Sequence, residues 1–458
     1  MTQAKSQLQN NSFLEKVFRL SENNTNAKTE VIAGFTTFMT MAYILAVNPG
    51  MLAAAGMDQG AVFTATVLAA VVGTLAMAFL ANYPFALAPG MGLNAYFVYT
   101  VCLTMGYSWQ IALGAVFVEG VIFIILTFLN VREAIFNAFP QTLKHAVGAG
   151  IGLFITFIGF QNAGIVSGDA ATLVTLGDVT NVVTFLAILG TLITGILVVK
   201  RVKGSILIGI LITYVLGIIA ELVGWYVPNP EAGLYSLIPS TLFSAPPSIA
   251  PIAFKLDLSQ VFSLSFFVVV FAFLFVDLFD TLGTLIGVSS QAGMLDKEGK
   301  LPNVKQALLA DAIGTTAGAL FGTSTTTTYV ESASGVAEGG RTGLTAFVTA
   351  IFFVIALFFS PIFLAVPSFA TAPALIIVGF MMMQSVGKID FTEASEGIPA
   401  FLALIAMPLA YSIAEGIVFG TVSYVVINAI TGKAKKVHPV MYVLAIIFVL
   451  KFIIEKVG

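Results

Sequence analysis

The chain has 458 residues, of which 58% are hydrophobic and 9% are charged, and its formal net charge is -3. Soluble globular domains carry about 25% charged residues. This composition therefore excludes an ordinary soluble domain and is typical of a polytopic membrane protein. Apolar runs of about 20 residues, enough to cross a hydrocarbon core about 30 Å thick, recur from Val31 to Ile454.

The polar N-terminal segment has no apolar core before a small-residue cleavage site, so we expect no cleaved signal peptide. Fourteen membrane spans are predicted after it, at 30–48, 60–81, 91–105, 110–129, 142–163, 181–199, 205–224, 262–288, 304–322, 329–338, 342–365, 371–387, 398–411 and 413–431. A further apolar helix at 438–455 is predicted to lie in the membrane interface, because Lys451, Glu455 and Lys456 are in its tail. A full crossing by this helix stays open.

The basic residues predict the orientation of the spans. With the N-terminus in the cytoplasm, every Lys and Arg before the terminal helix except Lys255 falls on the cytoplasmic side. An excess of Lys and Arg marks the cytoplasmic loops of membrane proteins. We therefore expect a multi-pass protein of the plasma membrane with a cytoplasmic N-terminus.

Few residues offer cofactor chemistry. The single cysteine, Cys102, excludes an intrachain disulfide, and His145 and His438 are isolated, so no metal site is suggested. The sequence contains no GxxxxGKS or GxxxxGKT phosphate loop and hence no recognisable ATPase of its own. We expect no cofactor, no catalytic residue and no nucleic-acid partner, with energy supplied by an ion gradient.

Two predicted spans do not fit a continuous helix. The stretch "YPFALAPG", Tyr83 to Gly90, has two prolines around an apolar run. The roughly 15 helical residues after it cover about 22 Å, less than the membrane core. The stretch "GTSTTTTYV", residues 322–330, favours extended backbone because threonine is stiff at χ1. Both spans are predicted to be half strand and half helix.

Extended backbone finds no hydrogen-bond partner in lipid, so the two stretches are predicted to pair with each other. They occupy the third and tenth spans, which are matching places in two halves of seven spans. Broken helices at matching places suggest inverted repeats with a binding site near the membrane midplane.

The eighth span buries two carboxyl groups, Asp277 and Asp280, in "FAFLFVDLFDTLGTLIGV". Two carboxylates at mid-helix cost about 5 to 7 kcal/mol, more than packing would retain. Their i, i+3 spacing places both on one helix face, where they repel, and one of them is expected to keep its proton. We therefore expect proton symport, with one Asp contacting the substrate and the other carrying the proton.

Two more polar residues lie where the half helices begin. Glu331 is in the first turn of the tenth span's helix, where the positive dipole end favours a carboxylate. Asn94 opens the half helix of the third span, and its amide can both donate and accept hydrogen bonds. Glu119 and Asp311 accompany no backbone break and are expected to be structural. The spacing of Gly314, Gly318 and Gly322 predicts close helix packing on one face of the ninth span.

Four stretches in this order closely resemble the AzgA-like purine permeases of the nucleobase cation symporter and nucleobase ascorbate transporter superfamily: "EVIAGFTTFMTMAYILAVNP", "APGMGLNAYF", "VDLFDTLGT" and "GTSTTTTYVESASGVAEGGRTGLTA". The resemblance implies an all-α polytopic fold of fourteen segments in two inverted seven-segment repeats. It also implies short paired strands in segments 3 and 10, and a division into core and gate domains.

The resemblance assigns roles to individual residues. It implies substrate contacts at Asn94, Asp277 and Glu331 and proton coupling at Asp280. Backbone or hydroxyl groups beside the same cavity are expected at Pro89, Gly92, Thr327 and Thr328.

The expected domains follow from the same resemblance. They are a cytoplasmic N-terminal segment at 1–28, core segments at 29–130 and 259–366, and gate segments at 131–258 and 367–458, the last including the C-terminal helix. A homodimer through the gate domain is left open.

The leading hypothesis is proton-driven import of a purine base, guanine or hypoxanthine, through the lipid bilayer. A carboxylate at Glu331 can accept from the N1–H and N2–H of guanine, or from the N1–H of hypoxanthine. An adenine-preferring carrier is the close alternative, followed by a uracil or xanthine carrier, and Na+ coupling instead of H+ stays open.

A channel is disfavoured because the polar residues cluster in three spans at one depth. An intramembrane aspartyl protease is disfavoured because both Asp share one helix and GxGD is absent.

Overall fold

The computed structural model describes residues 13–129, 138–229, 234–239, 241–291, 293–294 and 301–457. Residues 1–12 of the predicted N-terminal segment lie outside this description. So do residues 130–137, where the first core segment is predicted to give way to the gate. Over the described ranges the chain is mostly helical, as its composition predicts.

The first half of the chain contains the following elements: α1 (Phe13–Phe18), α2 (Ala27–Met41), α3 (Ile44–Ala53), α4 (Gln59–Ala76), β1 (Leu87–Pro89), α5 (Met91–Ala95), α6 (Trp109–Phe128), α7 (Gln141–Asn162), β2 (Val166–Asp169), β3 (Leu173–Leu176), α8 (Val182–Val199) and α9 (Ser205–Leu222). Wider π-helical turns extend α4 through Met77–Ala81 and α5 through Tyr96–Thr104.

The second half contains the following elements: α10 (Leu264–Gln291), α11 (Val304–Phe321), β4 (Thr326–Thr328), α12 (Ser332–Ala337), α13 (Gly343–Ala356), α14 (Ser360–Leu364), α15 (Ser368–Met383), α16 (Ala394–Leu409), α17 (Ile413–Ile430) and α18 (Pro439–Val457). Short 3-10 turns follow α13 at Leu357–Phe359 and α15 at Gln384–Lys388, and one lies at Ala434–Lys436.

The predicted spans agree with these helices to within a few residues. Ten helical segments of the described chain are long and apolar enough to cross a membrane. The third, ninth, tenth and thirteenth predicted spans are outside that set because their helices are shorter or more polar. The terminal helix α18 packs on α17 and α10, and its place relative to the membrane stays a prediction.

The predicted strand pair is confirmed. Strands β1 and β4 are antiparallel, with Leu87 opposite Thr328 and Pro89 opposite Thr326. Two further backbone bonds extend the ladder, from the N–H of Gly90 to the Thr325 carbonyl and from the N–H of Tyr329 to the Ala86 carbonyl, at 3.0 Å each. The third and tenth spans therefore meet through their extended halves.

Side-chain hydroxyls bond backbone groups on both outer edges of this two-stranded sheet. The Thr74 hydroxyl of α4 accepts from the N–H of Leu87 at 2.9 Å, and it lies 3.1 Å from the carbonyl of the same residue. On the other edge, the Thr315 hydroxyl of α11 donates to the Thr326 carbonyl at 2.8 Å. Backbone that lipid would leave unbonded is thus bonded by protein on both sides.

Glycines let two helices approach the sheet closely. A Cβ on Gly314 of α11 would lie 3.1 Å from the Cα of Gly73 in α4 and 3.1 Å from the Cγ2 of Thr326. A Cβ on Gly318 would lie 3.1 Å from the Thr326 hydroxyl. The predicted small face of the ninth span therefore packs against both a helix and strand β4.

The long helices form two packed groups. Helices α7, α15, α16 and α17 pack on one another, with α8 and α9 against α15. Helices α4, α6, α11 and α13 form the other group, with α2 against α13. The predicted domain boundaries place the first group in the gate and the second in the core.

A second small sheet was not predicted. Strands β2 and β3 form an antiparallel hairpin between α7 and α8. The Asp169 carboxylate accepts from the backbone N–H of Ala171 and of Thr172 at 2.8 Å each, which fixes the turn. The hairpin is mostly exposed, so it lacks the apolar and polar alternation by which a half-buried strand is recognised.

Candidate functional site

A small cavity of about 80 Å³ lies between the two helix groups. Its walls come from the first, third, eighth and tenth spans and from α15. The lining residues are Tyr43, Gly90, Met91, Gly92, Asp280, Thr284, Thr327, Thr328, Tyr329, Val330, Glu331, Val378 and Met382. Both strand-to-helix breaks thus open onto the same space, and two carboxyl groups face it.

Glu331 stands at the end of the extended half of the tenth span, immediately before α12. It is half-buried, and its Oε1 accepts a hydrogen bond from the Tyr43 hydroxyl at 2.7 Å. Tyr43 lies between α2 and α3, where the first span is interrupted. The predicted carboxylate therefore faces the cavity and is held from a different span.

Asp280 is the carboxyl group that α10 contributes to the cavity. It is half-buried, whereas Asp277 is fully buried. Thr284, one turn further along α10, also lines the cavity. Of the two predicted aspartates, Asp280 alone is among the residues that line this cavity.

Asp277 lies in a buried polar cluster beside the strand pair. The Thr281 hydroxyl is 3.2 Å from Oδ1 of Asp277, 2.6 Å from Oδ1 of Asp311 and 2.8 Å from the Thr327 hydroxyl. Thr327 also lines the cavity. Asp277 therefore adjoins the cavity through hydroxyl groups, and its role in substrate contact stays a prediction.

Asn94 is also placed away from the cavity. Its side chain is fully buried, and its Oδ1 accepts from the Ser324 hydroxyl. The Asn94 amide nitrogen has no hydrogen-bond partner among the described residues. In this geometry Asn94 ties α5 to the segment before β4, and direct contact with substrate stays a prediction.

Of the four predicted backbone or hydroxyl positions, three line the cavity and one lies behind its wall. Gly92, Thr327 and Thr328 line the cavity. The carbonyl of Pro89 accepts from the Tyr329 hydroxyl at 2.6 Å, and Tyr329 is itself a lining residue. Pro89 therefore supports the wall of the cavity from behind.

The strand-to-helix junctions border the cavity. Gly90 precedes α5 and Glu331 precedes α12, and both residues line the cavity. Neither junction has a side-chain capping bond. At the start of α12 the first three N–H groups already donate to the backbone carbonyls of Tyr329, Val330 and Glu331, so this junction offers the cavity the Glu331 carboxyl group and no free N–H from these three positions.

The structure adds one polar residue at the site that the sequence does not predict, Tyr43, because tyrosine in an apolar span resembles a packing residue. Glu119 and Asp311 are expected to be structural, and both bond hydroxyl groups beside the strand pair. Oε2 of Glu119 accepts from the Thr325 hydroxyl at 2.6 Å, and Oδ1 of Asp311 accepts from the Thr281 hydroxyl at 2.6 Å. A buried tyrosine hydroxyl usually needs a partner, which is the signal that could have identified Tyr43.

Glu331 also borders a second cavity, of about 360 Å³. Arg201 and Lys203, in the connection between α8 and α9, line this second cavity. Lys203 also forms an ion pair with Glu338, just after α12. Arg201 and Lys203 thus share this second cavity with Glu331.

Metal ligands are not grouped in the part of the chain that the structure describes. There, no cluster of three or more His, Cys, Asp or Glu residues has the arrangement of a metal site. The described cavity instead offers carboxyl, hydroxyl and backbone groups, which suit hydrogen bonding to a small polar molecule.

Comparison with known proteins identifies the family. Residues 28–419 match Xan_ur_permease, a permease family. The chain belongs to this family. The permease is 52% identical to a permease of Methanocaldococcus jannaschii over 96% of this chain and 98% of that relative. It is 48% identical to the guanine/hypoxanthine permease PbuG of Bacillus subtilis, over 97% of this chain and 100% of that relative. It is 42% identical to the adenine permease AdeP of Escherichia coli, over 96% of each chain.

A solved structure supports the fold. The transmembrane domain of the cyanobacterial bicarbonate transporter BicA superposes with a TM-score of 0.63 at 17% identity, covering 86% of this permease and 97% of that chain. At this identity the likeness concerns the fold alone. The predicted inverted-repeat architecture is confirmed. The permease is a multi-pass membrane transporter and not an enzyme, which excludes the protease alternative.

Proposed function

We propose that this permease imports purine bases, with guanine or hypoxanthine as substrate, across the plasma membrane by proton symport. The observation that carries the proposal is the position of Glu331, a carboxylate at the cavity with one oxygen bonded to Tyr43. A carboxylate suits the N1–H donor that guanine and hypoxanthine share. The similarity to PbuG, a guanine/hypoxanthine permease, supports the same substrate class.

The coupling part of the proposal rests on two carboxyl groups at one small cavity. Asp280 and Glu331 both line a space of about 80 Å³. Two carboxylates this close repel, so one of them keeps a proton. We assign the substrate contact to Glu331 and the proton to Asp280. Loss of that proton would then place two negative charges beside the bound base, which links proton movement to substrate movement.

Adenine is the second candidate substrate, because AdeP, an adenine permease, is 42% identical to this chain. Adenine has an acceptor at N1, so it would need a protonated carboxyl group or a different pose. The same cavity could supply that proton from Asp280. The two candidates therefore differ in the protonation state that the site must offer.

The decisive experiment is uptake of labelled hypoxanthine, guanine, adenine and uracil by cells that lack their own permeases and express this chain. We expect accumulation of hypoxanthine and guanine that a protonophore abolishes. Replacing Na+ with choline should leave uptake unchanged. Accumulation of no purine would refute the proposal, and uptake that follows Na+ instead of H+ would refute its coupling part.

The assignment of the proton is tested with Asp280→Asn. This variant should exchange internal for external labelled hypoxanthine, because exchange needs no net proton movement, but it should not accumulate the base. Asp257→Asn is the matched control, since Asp257 lies in the connection before α10 and is outside the cavity. Equal loss of exchange and accumulation in Asp280→Asn would contradict the assignment.

The orientation is tested by labelling single cysteines in a Cys102→Ala background. A cysteine at Lys433 should react with an impermeant maleimide only after the cells are opened, whereas one at Lys255 should react in intact cells. The opposite pattern would reverse the predicted orientation.

A further inference from the structure

Tyr43 holds the carboxylate of Glu331 from the first span. Its side chain is 2% exposed, and its hydroxyl donates to Oε1 of Glu331 at 2.7 Å. Thr40, in the last turn of α2, lies close by, with its hydroxyl 3.4 Å from the Glu331 carbonyl. The interruption between α2 and α3 therefore brings one strong donor to the residue that faces the substrate cavity.

A hydroxyl donor distinguishes the two protonation states of a carboxyl group. An ionised carboxylate only accepts, so it gains a charge-assisted hydrogen bond from the tyrosine O–H. A protonated carboxyl group gains less from the same donor. The Tyr43 hydroxyl therefore stabilises Glu331 in its ionised form.

Other charged and titratable groups lie around Glu331. Arg201 and Lys203 line the neighbouring cavity that Glu331 also borders, and Lys203 is paired with Glu338. Asp280, the carboxyl group across the substrate cavity, repels Glu331 when both are ionised, and Tyr329 lines the same space. Because Tyr43 donates to Glu331, we assign the proton shared between the two carboxyl groups to Asp280.

The ionised state of Glu331 selects among purines. The N1 atom of guanine or hypoxanthine carries a hydrogen and donates to a carboxylate, whereas N1 of adenine is an acceptor and meets it unfavourably. We propose that Tyr43 is a specificity-determining residue, whose hydroxyl keeps Glu331 an acceptor and so makes the site prefer 6-oxopurines over adenine. This inference rests on the proposed purine-transport function.

The test is competition binding to the purified full-length permease, with labelled hypoxanthine displaced by unlabelled hypoxanthine or adenine. Tyr43→Phe removes the donor and keeps the ring. We expect the ratio of adenine affinity to hypoxanthine affinity to rise about tenfold, which is the size of effect expected for one hydrogen bond to a charged group. An unchanged ratio in a folded Tyr43→Phe protein would overturn the inference.

A tyrosine outside the cavity serves as the matched control. Tyr214 is buried in α9 and, like Tyr43, uses its hydroxyl as a donor, to the Leu237 carbonyl at 2.6 Å. Tyr214→Phe should leave the affinity ratio within about twofold of the wild-type value. An equal shift in Tyr43→Phe and Tyr214→Phe would show a general loss of packing and would overturn the inference.

A second variant keeps the test independent of whether Tyr43→Phe folds. Glu331→Gln replaces the carboxylate with an amide that carries a donor, and it should raise the same affinity ratio. In the double variant Tyr43→Phe/Glu331→Gln, the ratio should equal that of Glu331→Gln alone, because Tyr43 acts through the charge of Glu331. The inference that Tyr43 acts through the charge of Glu331 would be refuted if the affinity ratio did not rise in Glu331→Gln. It would also be refuted if the ratio rose further in the double variant. Wild-type protein that binds no purine would instead refute the proposed function.

Discussion

The third and tenth spans share a backbone plan and differ in what they bring to the cavity. Each runs as a short strand into a half helix, and the two strands pair. At the cavity the third span presents Gly90, Met91 and Gly92, without a charged side chain. The tenth span presents threonine hydroxyls and Glu331. The two spans thus have the same backbone form. The third span lines the cavity with small or apolar residues, and the tenth span lines it with hydrogen-bonding side chains.

The difference predicts that substitutions in the two spans will act in different ways. In the tenth span, transport should be lost when a hydrogen-bonding group is removed without a change in side-chain volume. In the third span, transport and stability should be reduced when side-chain volume is added without a change in polarity.

The largest expected effect is in the tenth span. Glu331→Gln preserves the side-chain volume but removes the charge. Hydrogen bonds to charged groups contribute about 1.5 to 3 kcal/mol, so kcat/KM for hypoxanthine uptake should fall about 10- to 100-fold. Initial rates in cells, normalised to the amount of permease in the membrane, measure this. Glu338→Gln, outside the substrate cavity, is the matched control, and an equal fall in both variants would contradict the assignment.

In the third span, one added methyl group should be enough to disturb the site. A Cβ on Gly90 would lie 2.6 Å from the Cγ2 of Thr327, and rotating Thr327 away would disturb its 2.8 Å contact with Thr281. Overpacking of this kind costs about 1 to 3 kcal/mol. Gly90→Ala should therefore lower the melting temperature in detergent and reduce uptake.

The control for this change is Gly50→Ala, because no atom lies within 4 Å of a Cβ built there. That variant should unfold at the wild-type temperature or slightly above it, since alanine favours helix. Wild-type stability and uptake in Gly90→Ala would contradict the inference that close packing at Gly90 is needed to form the cavity wall.

The edges of the strand pair give a smaller effect. Thr74→Val keeps the shape of the side chain but leaves the N–H of Leu87 without the acceptor it has at 2.9 Å. One buried unbonded group should cost about 1 to 2 kcal/mol. Thr127→Val is the control, because the Thr127 hydroxyl donates only within its own helix, to the Phe123 carbonyl. Equal melting temperatures for the two variants would show that the edge bond contributes little.

Charges outside the two broken spans should matter least. Glu393, before α16, bonds Lys433 at 2.8 Å, and this bond together with those from Ser395 lowers the pKa of the Glu393 carboxyl to about 2 from its usual 4.5. Because the folded-state pKa is lowered, the stabilisation is full above about pH 4.5 and is lost as the pH falls towards about 2. Glu393→Gln should slightly lower the melting temperature at pH 7 and leave hypoxanthine uptake unchanged. A difference that grows as the pH falls would contradict the sign of this effect.

The sequence predicts those parts of the fold that depend on local properties of the chain. The length of the apolar runs predicts the long helices. Proline in the third span and threonine in the tenth predict the two breaks in the helices. Their pairing follows because extended backbone has no partner in lipid. The hairpin β2–β3 is not predictable in the same way, because its residues are mostly exposed and carry no burial pattern.

The candidate site is only partly predictable from the sequence. The i, i+3 spacing of Asp277 and Asp280 gives their relation along α10 but not what each one meets, and the structure gives them different neighbours. Asp280 faces the cavity, while Asp277 meets Thr281. Tyr43 is 288 residues from its partner Glu331. A contact over that distance depends on the packing of the first span against the tenth, which no local pattern encodes.

Both edges of the strand pair lie inside the protein. A strand edge with free N–H and C=O groups is a template for another strand. Strands β1 and β4 are fully buried, α4 packs on β1 and α11 packs on β4, and hydroxyls of Thr74 and Thr315 bond backbone groups at the two edges. The extended backbone is therefore enclosed within one chain and presents no edge to a neighbouring copy.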